Sequence, residues 1–313
     1  MRIAFVMDPL AHVVVTADTT FAFMLAAQER GHDIFYLRQE DLSARGDVAM
    51  AVARTARVAP TQGSHYELET PEHVPLHSFD VIFQRNDPPF DIDYLHAVHL
   101  LELAEERGTL VVNKPSGLRA ANEKLYALHF PLVIPETLVS SSVAEIRAFA
   151  GQMGGKCIVK PVDGHGGEAV FVLDLADRNV HALLEVMTQH ETRRIISQQY
   201  LPDARNGDKR ILLLDGEPLG GILRVPRADE NRGNIHVGGT VERSQLTERD
   251  LEICAAVGPR LRADGLWFVG LDVIGGVLTE VNVTSPTGIQ EMSRLDGIDG
   301  ARRVIDWAVE RRG

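Results

Sequence analysis

The chain has 313 residues, of which 44% are hydrophobic and 24% charged, so it is long enough for two or three domains. Its formal net charge of −12 argues against nucleic acid as a partner, because the phosphate backbone requires a positive surface. Residues 1–7 do not form a secretory signal, and no apolar run approaches the length of a membrane span. Cys157 and Cys254 lie in apolar runs, which is typical of buried thiols in a reducing compartment. We therefore expect a cytoplasmic protein without a nucleic-acid or membrane partner.

The first part of the sequence alternates strand patterns with helix patterns. The apolar run 3–7 predicts a strand, and Asp18 begins a cap signal before an amphipathic helix over 21–30. Further strands are predicted over 33–38, 80–85 and 109–113, with a helix over 92–107. Residues 41–79 are polar and uneven and have no clear pattern. Strands that alternate with helices indicate a mostly parallel sheet covered on both faces.

The rest of the sequence predicts two smaller units. A helix over 118–127 leads into the first unit, in which Ser142 begins a capping box. Its strands are expected over 157–161, 169–173 and 194–200. The second unit begins at Asp208, and its elements are strands over 210–214 and 221–225, a helix over 248–264 and a C-terminal hairpin. We therefore expect three parts, residues 1–121, 122–202 and 203–313.

The C-terminal hairpin carries metal-ligand side chains among its apolar positions. Asp272, Glu280 and Asn282 offer oxygen ligands, which suit Mg²⁺ beside nucleotide phosphates. Glu280 and Asn282 share one strand face, but Asp272 joins them only if the connecting loop has an odd number of residues. A two-residue turn at 275–276 would set Asp272 opposite Thr279. By itself, the pattern favours a plain hairpin with a polar solvent face.

The segment 163–167, Asp-Gly-His-Gly-Gly, is a loop between two predicted strands. Its glycines would let backbone N–H groups approach an anion, which favours phosphate binding over a plain turn. It lacks the Lys-Ser/Thr ending of a Walker loop and leads into a strand rather than a helix. Lys160 is costly to bury unpaired on the preceding strand, and a phosphate would supply its partner. Lys124, on the helix predicted over 118–127, is a second candidate cation, although alone it is more typical of a solvated residue.

Two arginines are candidates to stabilise a transferring phosphoryl group. Arg210 begins a strand and Arg224 ends another, and guanidinium groups bind phosphate or carboxylate through paired hydrogen bonds. Arginines at strand ends are also common as plain surface residues, so the two interpretations are about equally supported. The glycine-rich segment 227–239 is either a lid that excludes water from a reactive intermediate or a disordered loop. The loop after Arg85 leaves a strand at its carboxyl end, where open α/β sheets bind ligands. Its two prolines make it rigid, which suits either a binding loop or a simple corner.

Four motifs follow one another along the chain. They are Lys-Pro with the glycine loop at 160–167, Gly-Asp-Lys-Arg at 207–210, Asn-Arg-Gly-Asn at 231–234, and Glu-Val-Asn-Val-Thr-Ser-Pro at 280–286. This set resembles the ATP-grasp superfamily and looks specifically like the prokaryotic glutathione synthetases, nearly end to end. The family joins γ-glutamylcysteine to glycine with ATP and Mg²⁺ through an acyl phosphate. The resemblance implies an α/β (α+β) ATP-grasp fold, with an N-terminal Rossmann-like parallel-sheet domain and two α+β subdomains that sandwich ATP.

The resemblance also implies a role for each matched residue. The nucleotide would be bound by Lys124, Lys160, Gly164, Gly166, Gly167, Gln198, Gln199, Tyr200, Leu201 and Asp208. The metal, Mg²⁺ with Mn²⁺ as an alternative, would be held by Asp272, Glu280 and Asn282, and the catalytic arginines would be Arg210 and Arg224. The substrates would contact Asp18, Thr19, Arg85, Arg232, Asn234, Ser285, Pro286, Thr287 and Gly288.

Thr19, Asn86 and Thr240 differ from the residues that are usual in the family, which affects the peptide and lid contacts rather than the ATP and metal core. The resemblance further implies a homo-oligomer, namely a tetramer. One alternative is another ATP-grasp carboxylate–amine ligase, of the D-alanine or glutamate type. A second is a regulatory protein that binds ATP without ligation, although such a protein would have no need of three filled metal positions.

Overall fold

The computed structural model describes residues 1–164, 166–226 and 239–313. Within these ranges the chain forms three sheets, of eight, four and five strands. No helix in the described ranges is both long enough and apolar enough to cross a membrane.

The N-terminal residues form the largest sheet. Its strands are β1 (Arg2–Val6), β2 (Asp33–Leu37), β3 (Leu42–Arg45), β4 (Val48–Val58), β5 (Tyr66–Leu68), β6 (Glu72–Pro75), β7 (Val81–Gln84) and β8 (Leu110–Val112). The helices of this part are α1 (Thr19–Glu29), α2 (Ile92–Glu105) and α3 (Pro115–Ala120). β1 pairs in parallel with β2 and β7, and β7 pairs in parallel with β8, which confirms the predicted parallel sheet for these four strands.

The segment without a clear sequence pattern adds four antiparallel strands to this sheet. β4 pairs with β2, and β3, β5 and β6 all pair with β4. Along β4, the inward positions include Ala49, Ala51 and Ala53, which are all buried. Alanine gives little hydrophobic contrast and is a poor strand former, so this alternation is difficult to detect in the sequence.

The second sheet is antiparallel and small. Its strands are β9 (Thr137–Ser140), β10 (Lys156–Pro161), β11 (Phe171–Asp174) and β12 (Ile195–Gln199), in the order β11-β10-β12-β9. It is accompanied by α4 (Val143–Gln152) and α5 (Val180–Met187). The side chain of Ser142 accepts a hydrogen bond from the backbone N–H of Glu145, which is one half of the predicted capping box. The other half does not form, because the backbone N–H of Ser142 donates to Ser140 Oγ instead of to Glu145. Ile146 of α4 and Leu184 of α5 are fully buried with Val159 of β10, so the helices and the sheet share one core.

The third sheet carries the predicted metal hairpin. Its strands are β13 (Asp208–Leu214), β14 (Glu217–Val225), β15 (Thr240–Arg243), β16 (Phe268–Ile274) and β17 (Val277–Asn282), in the order β15-β14-β13-β16-β17. The helices of this part are α6 (Glu248–Asp264), α7 (Ile289–Asp296) and α8 (Gly300–Arg312). The predicted helix over 248–264 and its Thr247 cap are confirmed.

The two faces of the third sheet pack against different partners. Leu212 lies in the same core cluster as Phe23 of α1, whereas Ile211 lies in the cluster that contains Leu261 of α6. Arg210 is two residues from Leu212 and therefore shares its face. On this face of β13, the buried apolar Leu212 is therefore followed, towards the start of the strand, by the charged Arg210.

Candidate active site

Residues from all three parts of the fold line one cavity of about 670 Å³. Of the residues predicted from the sequence, those that line it are Lys124, Gly164, Gly166, Arg210, Arg224, Asp272, Glu280, Asn282, Ser285, Pro286 and Thr287. The cavity thus brings together the predicted metal ligands, both predicted catalytic arginines and one of the two candidate lysines.

The turn of the metal hairpin differs from the expected one. Gly275 and Gly276 form a two-residue turn, not the odd-length loop that the metal site was expected to need. Asp272 nevertheless lies opposite Glu280, because the pairing register shifts by one residue between Asp272 and Val273, on the side of Asp272 nearer the turn. The extra residue is Thr279, which forms a β-bulge. The expectation that a two-residue turn would remove Asp272 from its partners is therefore wrong.

The three predicted metal ligands are neighbours on this hairpin. The amide nitrogen of Asn282 donates to Asp272 Oδ2 and to the carbonyl oxygen of Gly270, each at 3.2 Å. Both hydrogen bonds use the amide nitrogen, so the amide oxygen remains the group that could bind a metal. No cluster of three or more histidine, cysteine, aspartate or glutamate side chains with metal-binding geometry occurs in the described ranges. The donor set is two carboxylates and one amide, which is oxygen-only and fits a hard divalent ion.

Arg210 and Arg224 hold the Asp272 carboxylate between them. Arg210 donates from Nε to Oδ1 at 2.6 Å and from NH2 to Oδ2 at 3.2 Å, while Arg224 NH2 lies 3.0 Å from Oδ1. Arg224 also donates from Nε to Asp208 Oδ1 at 2.5 Å. Burial opposes ionisation of Asp272, but the two guanidinium groups outweigh it and hold the pKa of this carboxyl well below its usual range. Burial raises the pKa of Asp208, which Arg224 only partly offsets.

Two buried lysines lie at the other side of the site. Lys160 Nζ is 3.1 Å from Glu280 Oε1, so the lysine pairs with a predicted metal ligand. Lys124 Nζ donates to the carbonyl oxygens of Pro161, at 3.0 Å, and of Gly164. Burial lowers the pKa of Lys124, and the nearby Glu280 carboxylate partly counters this effect.

The glycine loop has the conformation that its composition predicts. Gly166 and Gly167 have φ values of 59° and 80°, which side-chain-bearing residues rarely adopt. A Cβ atom on Gly164 would lie 3.2 Å from Lys124 Nζ, so glycine permits the close approach of the lysine. His165, the remaining residue of the loop, lies outside the described residues.

Comparison with known families agrees with this geometry. Residues 1–119 match the N-terminal domain of prokaryotic glutathione synthetase, and residues 123–297 match the ATP-grasp domain of prokaryotic glutathione synthetase. The chain belongs to the prokaryotic glutathione synthetase family. It is therefore an ATP-dependent carbon–nitrogen ligase with an ATP-grasp fold, and the resemblance inferred from the sequence motifs is confirmed.

Individual relatives match along almost their whole length. The chain is 50% identical over 307 residues to the glutathione synthetase of Synechococcus elongatus, which covers 95% of each chain. It is 46% identical over 312 residues to that of Brucella melitensis, which covers 100% of this chain and 99% of the relative. The fold is also similar to that of D-cycloserine synthetase DcsG, with a TM-score of 0.71 at 15% identity and full coverage of both chains. A similar fold occurs in the ATP-grasp ligase PsnB, with a TM-score of 0.63 at 15% identity over 99% and 97% of the two chains.

Several residues assigned from the glutathione synthetase motifs lie away from the large cavity. Gln198 lines a second cavity of only about 10 Å³, together with Lys124 and Lys160. Gln199 ends β12 and is exposed, and the partly buried Tyr200 and Leu201 follow it. Lys160 and Gln198 thus line a small separate cavity, which has Lys124 in common with the large one.

Three residues assigned to the γ-glutamylcysteine site do not line the large cavity. Arg85 is 5% exposed and donates to Thr20 Oγ1 at 3.1 Å and to the carbonyl oxygen of Pro286 at 2.9 Å. Asp18 caps α1 by accepting a hydrogen bond from Phe21 N at 2.7 Å, and Thr19 is 2% exposed. None of these three side chains lines the cavity of about 670 Å³, and their assignment to γ-glutamylcysteine stays a prediction. Arg85 instead supports the cavity wall at Pro286.

The remaining assigned residues belong to the predicted lid or to the segment just before α7. Arg232 and Asn234, together with positions 227–238 of the predicted lid, lie outside the described residues. Gly288 precedes α7 with a φ of 111°, a backbone conformation that favours glycine. Its neighbours Ser285, Pro286 and Thr287 line the cavity as expected.

The cavity also contains charged residues that sequence reasoning missed. Arg119 lines the cavity and forms two hydrogen bonds of 2.6 Å with Glu102. Glu123 lines the cavity and accepts hydrogen bonds from Val283 N at 2.8 Å and Thr284 N at 2.9 Å. Burial raises the pKa of Glu123, although these backbone hydrogen bonds lower it. Glu123 directly precedes Lys124 in the sequence. The prediction that Lys124 lies in the site is therefore the sequence signal that could have identified Glu123.

The loop after Arg85 forms part of the cavity wall. Asp87 lines the cavity and accepts a hydrogen bond from Ser285 Oγ, while its own backbone N–H donates to Asp8 Oδ2 at 2.9 Å. These contacts join the loop after β7 to the segment after β17 and to the loop after β1. The N-terminal sheet therefore contributes one wall of the site through a carboxylate.

Proposed function

We propose that this chain joins γ-glutamylcysteine to glycine at the expense of ATP, giving glutathione, ADP and phosphate. Membership of the glutathione synthetase family supports the choice of substrates. The observation that carries the proposal is the pairing of Asp272 with Glu280 in one cavity with Lys124, Arg210 and Arg224.

In this proposal, Lys124 and Lys160 bind the phosphates of ATP. Lys124 is 8% exposed and Lys160 is 5% exposed, so both amines are largely desolvated. Phosphate oxygens would stabilise these buried positive charges. The backbone of Gly164, Gly166 and Gly167 covers the phosphates. Gln198, Gln199, Tyr200 and Leu201 border the base, and Asp208 lies nearby.

Asp272, Glu280 and Asn282 would hold Mg²⁺, with Mn²⁺ as an alternative. Their carboxylate and amide oxygens fit a hard ion, and Asp272 is kept ionised by Arg210 and Arg224. Bound there, the ion would neutralise charge on the phosphate oxygens. The rest of the chemistry follows from the arginines and the cavity walls.

Arg210 and Arg224 stabilise the phosphoryl group as it passes to the cysteinyl carboxylate of the dipeptide. That carboxylate becomes an acyl phosphate, and the neutral amine of glycine then attacks its carbonyl carbon and phosphate leaves. The buried guanidinium groups are fixed by Asp208 and Asp272, so they need little reorganisation as negative charge develops. Closure of the glycine loop would protect the acyl phosphate from water. We assign the same role to segment 227–239, of which residues 227–238 lie outside the described residues.

The walls of the cavity position the two organic substrates. The segment from Ser285 to Gly288 would seat the acceptor amine, with Arg232 and Asn234 in the closing segment. Arg85, Asp18 and Thr19 are assigned to the γ-glutamylcysteine site. The hydrogen bond of 2.9 Å from Arg85 to the carbonyl oxygen of Pro286 supports a place for Arg85 beside this wall.

We also propose the boundaries 1–121, 122–202 and 203–313 for the three domains, a cytoplasmic location and a homotetramer. Limited proteolysis would locate the boundaries. Light scattering on the purified protein would test the tetramer directly, and a monomer or dimer would contradict it.

The substrates are tested by measuring ADP and phosphate release with ATP and Mg²⁺. We expect release only when γ-glutamylcysteine and glycine are both present, and loss of that release in Lys160→Ala and Glu280→Ala. The same assay with D-alanine or glutamate as the amine tests the other ATP-grasp ligase activities. Release that needs a different amine would contradict the proposed substrates, and ATP binding without release would indicate a non-catalytic protein.

A further inference from the structure

The β-bulge in the metal hairpin resolves a conflict between the core and the site. Leu278 and Val281 are both fully buried in the core cluster beneath the third sheet. They are three residues apart, so in a regular strand their side chains would point to opposite faces. One extra residue between them allows both to face the core and allows Glu280 to face the cavity.

Thr279 is that extra residue, and its side chain is held in place. Its hydroxyl group donates to the carbonyl oxygen of Asp272, across the bulge, at 3.0 Å. Thr279 is 8% exposed and lines the narrow cavity that also contains Lys160 and Gln198. The hydroxyl therefore connects the extra residue of one strand to the backbone of the predicted metal ligand on the other.

We propose that Thr279 is a positioning residue for the metal site: its hydroxyl group holds the bulge in the form that keeps Asp272 and Glu280 opposite each other. This inference rests on the proposed function of Asp272 and Glu280. A bulge is a local irregularity that can relax by shifting its extra residue along the strand. A cross-strand hydrogen bond at the bulge opposes that shift. The position of the Asn282 side chain depends on the same register, because its amide group donates to the Asp272 carboxylate.

The test compares Thr279→Val, which keeps the shape and removes the hydroxyl group, with Thr279→Ser, which keeps the hydroxyl group. The matched control is Thr109→Val, at the residue just before β8 of the N-terminal sheet. Thr109 is also buried, and its hydroxyl group donates to the carbonyl oxygen of Phe79 at 2.9 Å. The control therefore loses an equivalent hydrogen bond at a position far from the metal hairpin.

The measurement is Mn²⁺ affinity by electron paramagnetic resonance, with a non-hydrolysable ATP analogue present, together with urea unfolding of each variant. We expect Thr279→Val to bind Mn²⁺ about tenfold more weakly, and Thr279→Ser and Thr109→Val to bind it as the wild type does. The two valine variants should lose similar amounts of stability. If Thr279→Val fails to fold, Thr279→Ala serves in the same comparison.

Unchanged Mn²⁺ affinity in the folded Thr279→Val variant would overturn the inference, and so would equal weakening in Thr279→Ser or Thr109→Val. The measurement needs neither γ-glutamylcysteine nor glycine. A wrong choice of organic substrates would therefore appear in the ligation assay and leave the Mn²⁺ result standing. If the wild-type protein binds no Mn²⁺ with the nucleotide analogue, then the metal assignment and this inference are both wrong.

Discussion

Arg210 forms two hydrogen bonds to Asp272, of 2.6 Å and 3.2 Å, so the carboxylate proposed to hold the metal is already neutralised without one. Lys160 pairs with Glu280 in the same way at 3.1 Å. A metal ion would have to compete with these buried cations. Phosphate groups of ATP would relieve the competition by giving Lys160 another partner.

Metal binding should therefore depend on the nucleotide. We expect Lys160→Met to bind Mn²⁺ several-fold more tightly than wild type without nucleotide, because Glu280 loses its internal cation. The same variant should bind the ATP analogue more weakly. Titration calorimetry with each ligand alone checks both effects. Lys209→Met is the control, since Lys209 pairs with Asp250 rather than with a metal ligand. Unchanged Mn²⁺ binding in Lys160→Met would contradict the competition.

Arg224 should not be replaceable by lysine. Its planar guanidinium group contacts Asp208 and Asp272 at the same time, and a lysine ammonium cannot reproduce that fork. We expect Arg224→Lys to lower kcat by about 100-fold, the size of effect found when one donor to a developing negative charge is removed. Steady-state kinetics checks this prediction. Arg243→Lys, in the exposed ion pair with Asp296, should have wild-type kcat, and an Arg224→Lys variant with normal kcat would exclude the proposed role.

Lys124 should make ATP binding sensitive to alkaline pH. Burial lowers its pKa from the ordinary value of 10.5, so the amine loses its proton at a lower pH than an exposed lysine does. Since only the protonated amine attracts phosphate, ATP affinity should be full at neutral pH and should fall as pH rises through the lowered pKa. The KM for ATP, measured against pH, checks this. Lys124→Arg should remove the alkaline rise, because arginine stays protonated. An identical rise in both proteins would assign the titration to another group.

The core beneath the metal hairpin should contribute strongly to stability. Leu278 is fully buried, and we expect Leu278→Ala to lower the free energy of unfolding by about 2 to 5 kcal/mol through the cavity it leaves. Leu132→Ala is the control, because Leu132 is 91% exposed and surface changes of this kind alter stability by only about 0.5 kcal/mol. Urea unfolding measures both variants. Equal effects would show that the hairpin does not rest on a packed core.

Sequence patterns predicted the parallel strands, the capped helices and the residues that meet in the cavity. They failed where contacts distant in the sequence decide the local structure. The bulge at Thr279 forms because Leu278 and Val281 must both reach the core, and no turn rule contains that requirement. Lys124 was placed on a helix over 118–127, which is wrong. The helix ends at Ala120, and the side chain of Asn122 accepts hydrogen bonds from the backbone of Lys124 and Leu125 in a turn.

For the residues assigned to the substrates, the motifs likewise identify the residue, but not whether its side chain reaches the cavity. Ser285 was found from its motif, and it lines the cavity. Arg85 was found from its motif too, but the sequence does not reveal that its guanidinium group is drawn to the carbonyl oxygen of Pro286 and away from the cavity surface. Motifs identify which residues matter, whereas packing between domains decides whether they touch a ligand or support a wall.

The central claim, ligation through an acyl phosphate, is tested most directly with γ-glutamylcysteine labelled with ¹⁸O in its cysteinyl carboxylate. The enzyme is supplied with ATP, Mg²⁺ and glycine, and the released phosphate is analysed by mass spectrometry. The account predicts that each phosphate carries one labelled oxygen, because phosphate leaves with an oxygen of the activated carboxylate. Unlabelled phosphate, released while the displaced labelled oxygen appears in water or while no tripeptide is made, would contradict it.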